Sequence, residues 1–222
     1  MPLLRRPLRR LFCIALLGLA AGASSFAAEP QPGSQYTALP SPQPTDSGKK
    51  VEVIEFFAYY CPHCYAFEPQ LANWVRQQGD NIVFKRVHVS AGARVLPQQR
   101  LFFTLEAMGL LEQYHQKVFD AMHVQHLRLA SDEEVFDWVA KNGIDRAKFL
   151  ETWRSFGMPA KLRRADAMMD SYAVDRWPMI VVDGRWVTSP SQALGEAPEA
   201  QRQQAALQVM DGLVAKAKAD KK

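Results

Sequence analysis

Residues 51–69 read VEVIEFFAYYCPHCYAFEP and change character halfway along. Val51 to Phe57 is β-branched and aromatic, the composition of a buried strand. From Cys61 onward the pattern suits a helix, with Pro62 at an early helical position where its missing N–H removes no bond. A cysteine at such a helix start meets free N–H groups and the positive end of the helix dipole, which together favour the thiolate. Cys61 is therefore expected to be acidic, and His63 adds positive charge beside it. Cys64 lies three residues on, on the same helix face, so its sulfur can reach that of Cys61 and close a small ring on oxidation. Whatever stabilises the Cys61 thiolate stabilises the dithiol, and so makes the disulfide the stronger oxidant.

Working outward, Arg5, Arg6, Arg9 and Arg10 precede the apolar run Leu11 to Ala23, and Ser25 and Ala27 follow as small residues. This predicts a secretory signal peptide over residues 1–27, its apolar run being shorter than the roughly 20 residues a spanning helix needs. The full chain carries a formal charge of +4; without that segment 23 basic residues face 23 acidic ones. A near-neutral chain gives no support for nucleic-acid binding, which needs a clustered basic face. Cys13 leaves with the segment, so Cys61 and Cys64 remain as the cysteines of an exported chain, in a compartment where disulfides persist. An apolar content of 48% suffices for one compact domain with an insertion or for two small ones.

Residues 28–48 hold five prolines and read as an extended leader with poor internal order. Asn81 to Val89 reads as a second strand. Residues 91–170 are helical in pattern: Leu101, Leu105, Met108, Leu111, Tyr114, Val118 and Met122 recur every three or four positions as one apolar face. Ser131 and Glu134 form a capping box, Gly143 a stop, and about four helices are expected in all. PMIVV and RWV around Asp183-Gly184 predict a hairpin with a two-residue turn, and a last helix follows. The expected fold class is α/β, one sheet unit interrupted by an all-helical insertion.

Two other uses of the cysteine pair stand beside the redox reading. A purely structural disulfide here closes a tiny loop and gains little. A zinc site would need two further ligands, which His123 and His126 supply only at an unusually long spacing from the CxxC.

The segment VEVIEFFAYYCPHCYAFEP, with QYTAL, FKRVHV and WPMIVVDGRW, resembles the DsbA-type thiol:disulfide oxidoreductases, periplasmic oxidants with a thioredoxin fold and an inserted helical domain. The resemblance implies a discontinuous thioredoxin-like domain (49–90 and 171–218) and a helical domain (91–170). Cys61 becomes the exposed nucleophile, Cys64 the buried resolving cysteine, and Pro62 and His63 the dipeptide that tunes them. Pro178 matches the family's cis-proline, with Trp177 before it, beside the strip where substrate backbone pairs. Glu55 matches a buried acid near the resolving cysteine; if buried it should have a raised pKa and relay the Cys64 proton. Glu68 matches another acid near the site, although its position also suits a helix surface.

Two departures from the family pattern stand out. Trp177 replaces a small or β-branched residue. Arg86 replaces the lysine that pairs with the buried acid, and since arginine holds its proton, Glu55 is expected to be more firmly ionised. The four remaining histidines, His88, His115, His123 and His126, read as structural or surface residues. The resemblance implies donation of the Cys61–Cys64 disulfide to reduced, unfolded exported proteins, with no cofactor or metal beyond that disulfide. It also implies reoxidation by a quinone-linked membrane partner of the DsbB type, in the periplasm, by a chain acting as a monomer and binding no nucleic acid. The alternatives are a disulfide reductase or isomerase, and a non-catalytic chaperone or zinc-binding module.

Overall fold

The computed structural model describes residues 29–221, so the signal peptide expected over 1–27 lies outside the described residues. Five strands form one sheet: β1 (Thr37–Ala38), β2 (Val51–Phe57), β3 (Ile82–His88), β4 (Met179–Val182) and β5 (Trp186–Thr188), in the order β1-β5-β4-β2-β3. β2 lies between β3, which it pairs in parallel, and β4, which it pairs antiparallel. All seven of its residues are buried, which is why its sequence reads as an apolar run rather than an alternation.

The helices are α1 (Pro62–Gln78), α2 (Leu96–Ala107), α3 (Leu111–His123), α4 (Asp132–Lys141), α5 (Arg146–Trp153), α6 (Met158–Ser171), α7 (Pro190–Leu194) and α8 (Glu199–Asp220). Successive β2 side chains point to opposite faces and feed two cores. Val51 and Val53 join Phe67, Leu71, Ile180, Val182 and Leu213 on the α1 and α8 side. Ile54 and Phe56 join Leu101, Phe102, Phe119 and Phe149 on the side of the helices between β3 and β4. Among the described residues no helix is long and apolar enough to cross a membrane.

Four expectations are corrected. The leader is docked: β1 pairs with β5, and Tyr36 and Leu39 are buried. The stripe from Leu101 to Met122 spans two helices, because Gly109 adopts a positive φ of 69° between α2 and α3. Five helices, not four, separate β3 from β4. The β4–β5 connection has three residues, Asp183 to Arg185, with Val182 paired to Trp186; Asp183 and Gly184 both take positive φ, at 54° and 62°. The Ser131 cap is present, its side chain accepting from the Glu134 N–H, while the Glu134 carboxylate reaches one residue further back to the Ala130 N–H.

Candidate active site

Cys61 is the N-cap of α1, with Pro62 at the first helical position. Because β2 runs into the tight segment Ala58 to Tyr60 before the helix begins, the cap sulfur sits where the first-turn N–H groups point. The Cys64 N–H donates to Cys61 Sγ at 3.3 Å. Both cysteines are free thiols and buried, so the structure represents the dithiol form. A hydrogen bond from Cys64 draws the Cys61 thiol down to about 7; the N–H groups of Cys64 and His63 and the His63 charge help, against the opposing effect of burial. Burial pushes Cys64 far the other way, and the nearby charges of Cys61 and Glu55 add to it. The pair is thus split into one acidic thiol and one that holds its proton.

Cys61 is not exposed as the resemblance implied: only 4% of its surface is accessible. Its sulfur lies 3.6 Å from the Trp177 carbonyl, and the Trp177 ring meets Tyr60 edge to face at 6.3 Å, so two aromatic residues flank Cys61. The Trp177–Pro178 peptide is cis. His63 points outward, its Nδ1 bonded at 2.6 Å to Oε1 of Glu199 in the first turn of α8.

Beneath the cysteines lies a buried ionic cluster. Arg86 pairs across the sheet with Glu55, Nε to Oε2 at 3.2 Å, and reaches Glu68 Oε1 with its Nη2 at 2.7 Å. Both carboxylates are buried, so Glu68 is not a helix-surface residue. Arg86 does not leave Glu55 more firmly ionised. Burial raises Glu55 to about 8, the Arg86 charge only partly offsets this, and the neighbouring Glu68 charge raises it further. The physical reason is that desolvation of the fully buried carboxyl outweighs its one contact with Arg86, whose guanidinium also serves Glu68. Glu68 is shifted the opposite way: burial opposes its ionisation, but the contacts with His115 and Arg86 hold it below the usual range.

Three histidines close on Tyr59, two residues before Cys61. The Tyr59 N–H donates to His88 Nε2 at 3.1 Å, its carbonyl accepts from His123 Nε2 at 2.8 Å, and its hydroxyl contacts His115 Nδ1 at 2.9 Å. Burial holds His88 neutral, with its pKa near 3. His123 also stacks on Tyr65 at 4.6 Å. The zinc alternative required His123 and His126 to converge on the cysteines. Among the described residues no group of three or more His, Cys, Asp or Glu is arranged to hold a metal ion, and His123 is engaged by Tyr59 instead.

Tyr59, His115 and Glu199 had no marked site role in the sequence, and His123 had one only in the zinc alternative. The only local hint was a tyrosine so close to Cys61. Cys61, Cys64, Pro62, His63, Trp177 and Pro178 converge in the structure, with Glu55 below them on β2.

Residues 81–205 match a family described as a DSBA-like thioredoxin domain, and residues 44–100 match the thioredoxin family. The thiol:disulfide interchange protein DsbA of Burkholderia cepacia is 40% identical over 177 residues, covering 79% of this chain and 84% of the relative. Its counterpart from Pseudomonas aeruginosa is 37% identical, covering 78% and 80%. The crystal structure of Pseudomonas aeruginosa DsbA aligns with a TM-score of 0.78 at 34% identity, covering 86% of this chain and 95% of that one.

Proposed function

The chain belongs to the DSBA-like thioredoxin-domain family, and from that premise we propose how its residues carry out disulfide donation. It is a thiol:disulfide oxidoreductase of thioredoxin fold that uses a redox-active disulfide and no external cofactor. A substrate thiolate attacks Cys61 of the oxidised pair. A bond forms between the two sulfurs, the Cys61–Cys64 bond breaks, and Cys64 leaves as a thiolate that must take up a proton. A second substrate thiolate then attacks the first substrate sulfur and expels Cys61. The substrate loses two electrons and the enzyme becomes the dithiol.

The observation that carries this direction is the divided thiol pair. An acidic Cys61 is a good leaving group in the second step and makes the dithiol the favoured product. The Cys64 thiolate, buried and strongly basic, takes its proton from Glu55, which at neutral pH still holds one. That role for Glu55 rests on its burial, its single bond to Arg86 and its place below the cysteines. Pro62 and His63 tune Cys61. Pro178 and Trp177 border the strip where substrate backbone lies, a reading supported by the Trp177 carbonyl beside Cys61 Sγ.

Residues 49–90 and 171–218 form the thioredoxin unit, 91–170 the helical domain that covers one sheet face, and 28–48 the leader. The substrates are reduced exported proteins; reoxidation falls to a quinone-linked membrane partner of the DsbB type. The chain works as a monomer in the periplasm after removal of residues 1–27.

Equilibration with glutathione buffers, read by thiol trapping, is the direct test: the pair should stay reduced until the buffer is strongly oxidising. Oxidation already in a reducing buffer would make it a reductase. Cys61→Ser should abolish donation, and Cys64→Ser should accumulate mixed disulfides with substrate; absence of trapped species would reverse the assigned roles.

A further inference from the structure

Glu55, Glu68, Arg86 and His115 form a closed set, each side chain at most 9% exposed. Two carboxylates share one guanidinium. A buried net charge is costly, so the cluster retains one proton, and the question is which group holds it. Glu55 receives only the Arg86 Nε, at 3.2 Å. Glu68 receives the Arg86 Nη2 at 2.7 Å, and its second oxygen, Oε2, faces His115 Nε2 at 3.4 Å. Neither of these last two atoms completes a hydrogen bond among the described residues, and each is the nearest oppositely polarised group the other faces.

The tautomer of His115 follows from Tyr59. Its hydroxyl lies 2.9 Å from His115 Nδ1 and meets no other side chain or backbone acceptor among the described residues; assigning the phenol as donor gives its proton an acceptor and leaves the ring proton on Nε2, the nitrogen 3.4 Å from Glu68 Oε2. The rings of Phe57, Phe102 and Phe119 wall the imidazole. The remaining titratable and charged neighbours are Arg86 and His88 on β3 and Glu112 on α3. Burial, with the Arg86 charge, keeps His115 in its neutral form despite Glu68 and Glu112.

We propose that His115 is a positioning residue for disulfide exchange: by turning its Nε2–H toward Glu68 it settles the cluster's single proton on Glu55, beneath the cysteines. The importance of that placement rests on the reading of Glu55 as proton donor to Cys64. When Cys64 leaves Cys61, the proton moves from Glu55 to Cys64 Sγ, and the Glu55 carboxylate left behind faces Arg86. A proton held on Glu68 instead would face the histidine side of the cluster.

The test is carbon NMR of isotopically labelled glutamate carboxyls across pH, run on the full chain after signal removal, beside exchange rates of the oxidised protein with a reduced peptide. In His115→Phe the Glu55 transition, near pH 8 in the native protein, should move down by about one unit, roughly tenfold in proton affinity, while Glu68 moves up. His115→Gln, which keeps an N–H donor, should hold the native transition. If His115→Phe fails to fold, Tyr59→Phe serves: without the hydroxyl the imidazole is free to place its proton on Nδ1, and Glu55 should move the same way. Unchanged carboxyl transitions in the folded variants overturn the proposal. If the transitions move as stated and exchange rates do not follow, His115 places the proton but Glu55 is not the donor, so the two readings fail separately.

Discussion

A carboxyl group held near pH 8 by burial leaves a signature in stability. Between about 4.5 and about 8 folded Glu55 keeps a proton that the unfolded chain has released, so its contribution is fully present below 4.5 and is lost as pH rises through 8. Glu55→Gln removes that slope. Urea denaturation of the oxidised protein at pH 5 and pH 9 should show the variant gaining on the native protein at the higher pH; parallel curves would mean that Glu55 ionises normally. At Cys61 the corresponding change is His63→Ala, which removes a positive neighbour and should raise the thiolate transition above about 7, read by ultraviolet thiolate absorbance. The exposed His63–Glu199 pair contributes at most about 1 kcal/mol to folding, so an unchanged transition could not be put down to lost stability. Cys61, Cys64 and Glu55 were legible because each has a local signal, a helix start or an acid within an apolar strand. Arg86 was legible as a partner but not as a shared one. Its second carboxylate comes from α1 and its histidine neighbour from α3, a convergence that no spacing in the chain encodes.

At the scale of elements, the leader shows where sequence signals run out. Thr37–Ala38 has no strand signal; the pairing exists because Tyr36 and Leu39 find buried sites and the β5 edge offers free backbone groups. The Leu39 N–H donates to the Arg185 carbonyl and the Gln43 N–H to that of Gly184, both at 2.8 Å. Gly184 has a φ of 62°, and an added Cβ there would run into the Gln43 carbonyl. Gly184→Ala should therefore cost at least about 1 kcal/mol from backbone conformation alone and loosen residues 40–48, read as new protease cleavage there. Leu39→Ala should cost about 2–5 kcal/mol, and a variant as stable as the native chain would show that the leader is not docked in solution. The merging of α2 and α3 has a similar physical source. Met108, Gly109 and Leu110 make a break of almost one helical turn, so the apolar stripe resumes in phase and the sequence cannot register the interruption. By contrast, β2 was legible to both ends and α1 at its start, since burial on both faces and a proline at the first helical turn leave few alternatives.

For the whole molecule, the divided cysteines couple fold stability to redox state. In the dithiol form Cys61 ionises near 7 when folded and near about 8.5 when unfolded. Its contribution is therefore present above 8.5 and lost as pH falls through 7. Cys64 has the opposite sign: its raised folded value keeps a proton that the unfolded chain releases above about 8.5, so stability falls beyond that point. The disulfide form has neither transition, while Glu55 lies in both and largely drops out of the difference. The stability of the dithiol form relative to the disulfide form should thus climb between about pH 7 and 8.5 and then turn down. Paired denaturation of the two forms from pH 6 to 10 measures this directly. A gap that narrows across pH 7 to 8.5 would mean that the fold does not favour the Cys61 thiolate, and the thermodynamic basis for donating the disulfide would be gone. A maximum near 8.5 would tie the oxidising direction to the same two features, the helix start at Cys61 and the burial of Cys64, that the stretch from Val51 to Pro69 builds.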